Sequence, residues 1–148
     1  MWKQILKVTL IAGALDICAA CIQAYISAGL MPSFILKYIA SGAFGKSAFD
    51  GGLGMMLFGL LFHFIIAFAC TAIFFMLYPK TEWLHASIIL NSILIAFVAW
   101  GVTNLLIIKM SRIPNRPIHL GPSFIAIGIL VITIGLPLSV FAKKYYGK

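Results

Sequence analysis

Long apolar runs constrain this chain more than any other feature of its sequence. A helix that crosses a bilayer needs about 20 mostly apolar residues. Four segments meet that requirement: residues 5–30, 53–78, 84–108 and 120–142. Apolar and polar residues do not alternate along them, as they would in the strands of a membrane barrel. Because a helix satisfies its own backbone polar groups in lipid, the sequence predicts four transmembrane helices.

The composition excludes a water-soluble domain of this size. The 148 residues are 63% hydrophobic and only 9% charged, whereas soluble domains carry about 25% charged residues. A small soluble domain cannot bury so much apolar surface inside itself. We therefore expect an all-α membrane protein, with residues 1–148 forming a single transmembrane domain built as a four-helix bundle.

The segment between the first two predicted helices is unusual for a loop. Residues 32–50 are too apolar for an ordinary connection and too interrupted by glycine and serine for a complete span. Pro32 and Ser33 can begin a helix that Gly42 ends, so residues 33–41 are predicted to form a short helix in the membrane interface. The alternative is a re-entrant segment, which would need cover from the other helices.

The net charge of +8 comes mainly from basic residues at the ends of the apolar runs. This placement suits anionic lipid headgroups, so the expected partner is the bilayer. Nothing in it resembles a nucleic-acid surface. With four spans, both termini lie on the same side of the membrane. The basic residues on that side are Lys3, Lys7, Lys80, Lys143, Lys144 and Lys148, and those on the other side are Lys37, Lys46, Lys109, Arg112 and Arg116. Six basic residues against five give the positive-inside rule no clear bias. We favour cytoplasmic termini and leave dual topology open.

Polar and small residues concentrate on one face of the first predicted helix. Four polar residues lie within about 40° of one another around the helix axis: Thr9, Asp16, Gln23 and Ser27. A charged residue in mid-membrane costs about 2.5 to 3.5 kcal/mol on insertion scales, so this face should meet protein or water. Asp16 is a candidate for proton coupling or for binding a cationic substrate. Alternatively, it is a structural carboxyl bonded to His63 or Asn104.

His63 lies near the middle of the second predicted helix, and we expect it at the depth of Asp16. It could relay protons or bind a metal or haem. However, a haem in a helical bundle usually has two histidine ligands at similar depth, and His85 and His119 lie at helix ends. A metal site needs several converging ligands. No metal or cofactor is therefore expected, and the alternative for His63 is a hydrogen-bonded core residue.

Glycines on the second and fourth predicted helices recur at spacings that permit close packing. The predicted helix-packing residues are Gly52, Gly59, Gly121, Gly128 and Gly135. Small residues at such positions let two helix backbones approach each other. The contacts could form within one chain or between copies.

Enzyme signatures are weak in this sequence. Cys18 and Cys21 form a C-x-x-C, but both lie in the middle of an apolar run, without an electropositive setting that would favour a thiolate. The chain contains no G-x-S-x-G, phosphate-loop or H-E-x-x-H motif. We therefore do not expect an enzyme.

The segments AGALDICAA, IASGAFGKSAFDGG, GMMLFGLLFHFIIAF and GLPLS together resemble an uncharacterised family of small bacterial membrane proteins. The resemblance covers nearly the whole chain and implies a four-helix protein of a bacterial inner membrane, with no activity for any residue. The chain also resembles, more faintly, small multidrug transporters, which carry one acidic residue in the first of four helices. Asp16 stands in that place, although those proteins use glutamate.

Three classes of function follow from these observations. The first is a non-enzymatic accessory or interaction protein that associates with its own copies or with another membrane protein. The second is a small proton-coupled transporter or channel that uses Asp16, with His63 as a relay. The third is a membrane redox or cofactor-binding protein.

Overall fold

The structure, a computed structural model, describes residues 1–107 and 120–147. Every secondary-structure element in these two ranges is helical. The α-helices are α1 (Trp2–Ala28), α2 (Pro32–Phe44), α3 (Ser47–Asp50), α4 (Leu53–Leu77), α5 (Ile88–Gly101), α6 (Leu120–Leu130) and α7 (Leu136–Tyr146). Two π-helical stretches extend them: Val102–Ile107 continues α5, and Val131–Gly135 joins α6 to α7.

Three of the helical segments are long and apolar enough to cross a membrane: Trp2–Ala28, Leu53–Lys80 and Gly121–Tyr146. A fourth apolar helix, Ile88–Asn104, is shorter. Large apolar side chains cover the outer faces of the long helices and remain exposed there, as on Leu57 and Phe124. Contiguous apolar surface of this extent is what lipid, rather than water, covers. The prediction of an all-helical chain with helices long and apolar enough to cross a membrane is confirmed.

The ends of the observed helices differ from the predicted ones by a few residues, and two of these differences have a clear local cause. The third long helix begins at Ile88 rather than at residue 84, because Glu82–His85 form a 3-10 turn. The Ser87 hydroxyl then caps the helix by accepting the Leu90 N–H at 3.3 Å. The short helix α2 continues beyond Gly42 and ends at Gly45, whose φ of 66° glycine adopts without strain. The predicted end at residue 108 lies outside the described residues.

The most tightly packed part of the bundle lies at one end. Its fully buried side chains include Ile5 and Val8 at the start of α1, Phe75 near the end of α4 and Leu138 in α7. The start of α1 therefore meets the ends of α4 and α7. Along the chain, α1 packs on α4 and on the π-helical stretch before α7, and α5 packs on the last helical segment. Consecutive long helices thus alternate in direction.

The helix α2 packs against α4 rather than lying free on the surface of the bundle. The two backbones meet at Gly59, where an added Cβ would overlap the Leu36 carbonyl oxygen. At the end of α2, the ring of Phe44 lies 5.3 Å from that of Phe58. Lys37 donates to the Phe49 carbonyl oxygen at 3.3 Å and so ties α2 to α3. The apolar segment between the first two long helices is therefore covered by α4.

The five predicted packing glycines fall into two groups. Gly59 and Gly135 lie directly against a neighbouring backbone, and an added Cβ at Gly135 would overlap the Ser92 carbonyl oxygen of α5. Within residues 1–107 and 120–147, an added Cβ at the other three would meet nothing within 4 Å: Gly52, Gly121 and Gly128. Of the three predicted packing glycines of the last helix, Gly135 is therefore the one that lies against a neighbouring backbone of the described chain, where α5 crosses it.

Candidate functional site

A cavity of about 450 Å³ lies between the helices of the bundle and is partly open to the outside. Residues of α1, α2, α4 and α5 line it, together with Leu130 and Ile134 of the last helical segment. Most of the lining is apolar, and the polar side chains in it are Asp16, Tyr38, His63, Cys70 and Thr103. A largely apolar cavity with a few polar groups is the usual form of a small-molecule site.

The carboxyl group of Asp16 has a defined hydrogen-bond partner. Thr133 Oγ1 lies 3.0 Å from Asp16 Oδ1 and also 2.9 Å from the Ile129 carbonyl oxygen. A threonine hydroxyl has a single proton, so it can donate to only one of these acceptors at a time. When Asp16 is ionised, Thr133 donates to the carboxylate. When Asp16 is protonated, the acid can donate to Thr133, and Thr133 donates to Ile129. The site can therefore accommodate Asp16 in either protonation state.

A local irregularity of the last helix accompanies the position of Thr133. Pro137 has no N–H with which to bond the Thr133 carbonyl oxygen four residues earlier. In this part of the helix the Leu136 N–H bonds the Val131 carbonyl oxygen, which is the wider spacing of a π-helix. Such π-bulges are frequent at functional sites. The wider turn includes Thr133, and it faces α1.

His63 is held against α1 by a hydrogen bond from its ring. His63 Nε2 lies 2.8 Å from the Gly13 carbonyl oxygen. Because a carbonyl can only accept, Nε2 must carry the hydrogen, and Nδ1 remains to accept or bind a second proton. Gly13 and Asp16 are three residues apart and share a face of α1. This bond therefore places the imidazole one helical turn from Asp16, close enough for electrostatic interaction between the two side chains.

Close approach of α4 to α1 depends on the absence of a side chain at Gly13. An added Cβ there would lie 2.8 Å from Cε1 of Phe64. The Phe64 ring, which follows His63 on α4, would have to shift to make room. Gly13 thus lies at the contact of α1 with α4 beside His63, and sequence reasoning missed it.

The other predicted polar residues do not join this site. Gln23 lies about two turns beyond Asp16 on α1 and is not part of the cavity lining. Asn104 donates to the Trp100 carbonyl oxygen of its own helix at 2.9 Å. Sequence reasoning missed Thr133, Tyr38 and Thr103. For Thr133 a signal existed, because it stands four residues before Pro137, where a helix must rearrange its hydrogen bonds.

The three cysteines are not joined by a disulfide in the part of the chain that the structure describes. Cys18 is exposed on α1, Cys21 is half-buried, and Cys70 lines the cavity; all three are free. Among the described residues, no group of three or more His, Cys, Asp or Glu side chains could hold a metal ion.

Comparison with protein-family models, with curated proteins and with solved structures finds no match to this chain. The likeness to a bacterial membrane-protein family therefore rests on the quoted sequence segments. The case for a function rests on the cavity and its polar groups.

Proposed function

We propose that this protein is a small membrane carrier that binds a mostly apolar molecule bearing a cationic group. The observation that supports this most is a carboxyl group in the lining of an otherwise largely apolar cavity of about 450 Å³. Among the residues that the structure describes, no lysine or arginine lines that cavity. A half-buried carboxylate in a membrane-spanning helix is costly unless it is neutralised, and either a proton or a ligand's positive charge would neutralise Asp16.

Exchange at Asp16 would couple the ligand to protons. The carboxyl group takes a proton when the cavity is empty and releases it when a cation binds. The Thr133 hydroxyl supports both states, since it can donate to the carboxylate or to the Ile129 carbonyl oxygen. His63 offers Nδ1 as the next acceptor for the released proton. The other titratable groups in the lining are Tyr38 and Cys70, and neither carries a positive charge.

The proposal includes four membrane spans, with α2 as a re-entrant element. The helix α5 has 14 residues, and its π-helical continuation has 6. Together they are about 30 Å long at 1.5 Å per residue, which matches the thickness of the hydrocarbon core. The alternating directions of the long helices also favour four spans. A re-entrant α2 is favoured because Ile35, Tyr38 and Ile39 line the same cavity as Asp16. We place the protein in a bacterial inner membrane with both termini in the cytoplasm.

Flux into proteoliposomes tests the carrier. The probe is tetraphenylphosphonium, an apolar organic cation, and the driving force is a proton gradient of either direction. We expect the protein to accelerate cation flux, and the gradient to set its direction. Asp16→Asn should reduce the flux to the leak of empty vesicles, whereas Asp50→Asn, which alters an exposed acid outside the cavity, should leave it unchanged. Gradient-dependent flux that survives Asp16→Asn would refute the proposal.

A second candidate function, self-association as an interaction protein, is favoured by one surface. On α6, Gly121 and Gly128 leave open space, and Phe124 and Ile125 beside them are exposed. Glycines of this kind often let helices of two copies approach closely. Native mass spectrometry from mild detergent tests this: we expect a dimer that Gly128→Ile converts to a monomer. A monomeric unsubstituted protein would exclude this candidate and leave the carrier unaffected.

A further inference from the structure

A second, smaller cavity lies at the end of the bundle where the two termini meet. Its volume is about 130 Å³, and it lies between the start of α1 and the end of α7. The lining residues are Gln4, Lys7, Phe141, Lys144 and Tyr145. These residues play no part in the carrier proposed above. They form a site of a different chemical character.

The polar groups of this cavity suit an anion. Lys7 and Lys144 bring two ammonium groups from separate helices, and the Gln4 amide and the Tyr145 hydroxyl add further donors. Within residues 1–107 and 120–147, no carboxylate lines the cavity. Two neighbouring cations repel each other, and an anion bound between them removes that repulsion.

Location and shape indicate that the anion belongs to a lipid. The cavity lies at the ends of two helices that are long and apolar enough to cross a membrane, which is the level of the headgroups. Phe141 forms its apolar side and packs on the buried core. Leu10, one turn further along α1 from Lys7, is 53% exposed and continues an apolar surface away from the charges. A phosphate between the lysines would leave an acyl chain beside these apolar groups.

We propose that this cavity binds the phosphate of an anionic phospholipid. Basic pockets between membrane helices are known to hold such headgroups. Phosphatidylglycerol has the required chemistry, with one phosphate charge and acyl chains that extend into the bilayer. The site would fix the position of α7 against α1 at the membrane surface.

Native mass spectrometry of the detergent-purified protein tests the site. The protein is mixed with equal amounts of phosphatidylglycerol and phosphatidylcholine, and the retained lipid is identified by mass. We expect a preference for phosphatidylglycerol that Lys7→Gln and Lys144→Gln each reduce about fivefold. Lys143→Gln and Lys80→Gln are the controls, since both change an exposed lysine near the same end of the bundle without altering the cavity lining.

Each other outcome would overturn the proposal. Equal losses in all four variants would mean diffuse attraction of the basic surface for anionic lipid. Equal retention of the two lipids would mean that the phosphate charge is not recognised. Displacement of phosphatidylglycerol by millimolar inorganic phosphate would identify a site for free phosphate instead. We expect the lipid to remain bound in that competition, because its acyl chains contact the apolar side of the cavity.

Discussion

The hydroxyl group of Thr133 lies 3.0 Å from a carboxylate oxygen of Asp16, and the two residues are 117 positions apart in the chain. This contact joins α1 to the π-helical turn before α7. It also connects the acidic group of the cavity to a backbone carbonyl, because Thr133 lies within reach of Ile129 as well. Thr133 therefore links the backbone geometry of the last helix to the charge of Asp16.

Replacing Thr133 with valine should weaken cation binding while leaving the fold intact. Valine has nearly the same shape but cannot donate to the ionised Asp16, and hydrogen bonds to charged groups contribute about 1.5 to 3 kcal/mol. We expect binding of tetraphenylphosphonium to weaken about tenfold, measured by isothermal titration calorimetry. The matched control is Thr71→Val: that buried hydroxyl bonds only the Ala67 carbonyl within α4. Equal effects of the two substitutions would show that the Asp16 contact has no special role.

Cys70 offers a natural probe of the cavity. It lines the cavity, whereas Cys18 is exposed on α1. Bound tetraphenylphosphonium should protect Cys70 from N-ethylmaleimide and slow its modification severalfold, with no change at Cys18. Mass spectrometry of peptides after a time course gives both rates in one sample. Protection of neither thiol, or of both equally, would place the ligand elsewhere.

The contact between α2 and α4 should fail when Gly59 becomes alanine. The new methyl group would overlap the Leu36 carbonyl oxygen, so α2 must move away. Forced overpacking of this kind costs about 1 to 3 kcal/mol, and we expect a lower midpoint of thermal unfolding in detergent. Gly54→Ala is the control on the same helix, since its added Cβ meets nothing within 4 Å. A Gly59→Ala protein as stable as the control would contradict the observed packing.

A corresponding pair of substitutions tests the last helix. Gly135→Ala would drive a methyl group into the Ser92 backbone of α5, whereas Gly128→Ala places one in open space. We expect the first to lower thermal stability by about 1 to 3 kcal/mol and the second to leave it unchanged or slightly raised, because alanine favours helix. The measurement is the unfolding midpoint by intrinsic fluorescence. Loss of stability in both variants would instead indicate a packed seam along the whole helix.

The sequence was most informative about the helices themselves. Runs such as residues 53–78 must be helical in lipid whatever surrounds them, so their existence followed from hydrophobicity alone. Their ends were less predictable. The start of α5 at Ile88 depends on the Ser87 cap and the preceding 3-10 turn, which apolar composition does not record. Likewise, composition could not show that α4 covers α2, since that contact depends on the fit of Gly59 to one carbonyl group.

For the candidate site, the sequence predicted which face of a helix carries polar residues, but not which residues of different helices lie together. The polar face of α1 singled out Asp16, which lies against Thr133 and lines the cavity, but it also included Gln23, which does not line it. The partner Thr133 depends on the rearranged hydrogen bonds around Pro137 and on how far the last helix slides along α1. Such relative heights are set by packing between helices, as at Gly13, and a single sequence does not contain them directly.

Equilibrium binding of tetraphenylphosphonium to Asp16→Asn tests the central claim most directly. The unsubstituted protein should bind this cation, bind its neutral analogue triphenylphosphine oxide far less, and lose affinity for the cation as protons compete at falling pH. Asp16→Asn should reduce cation binding at least about tenfold, since it removes the charge that pairs with the ligand, while Asp50→Asn should bind normally. If Asp16→Asn binds the cation as tightly as the unsubstituted protein, Asp16 is not the counter-charge and the proposed function is wrong.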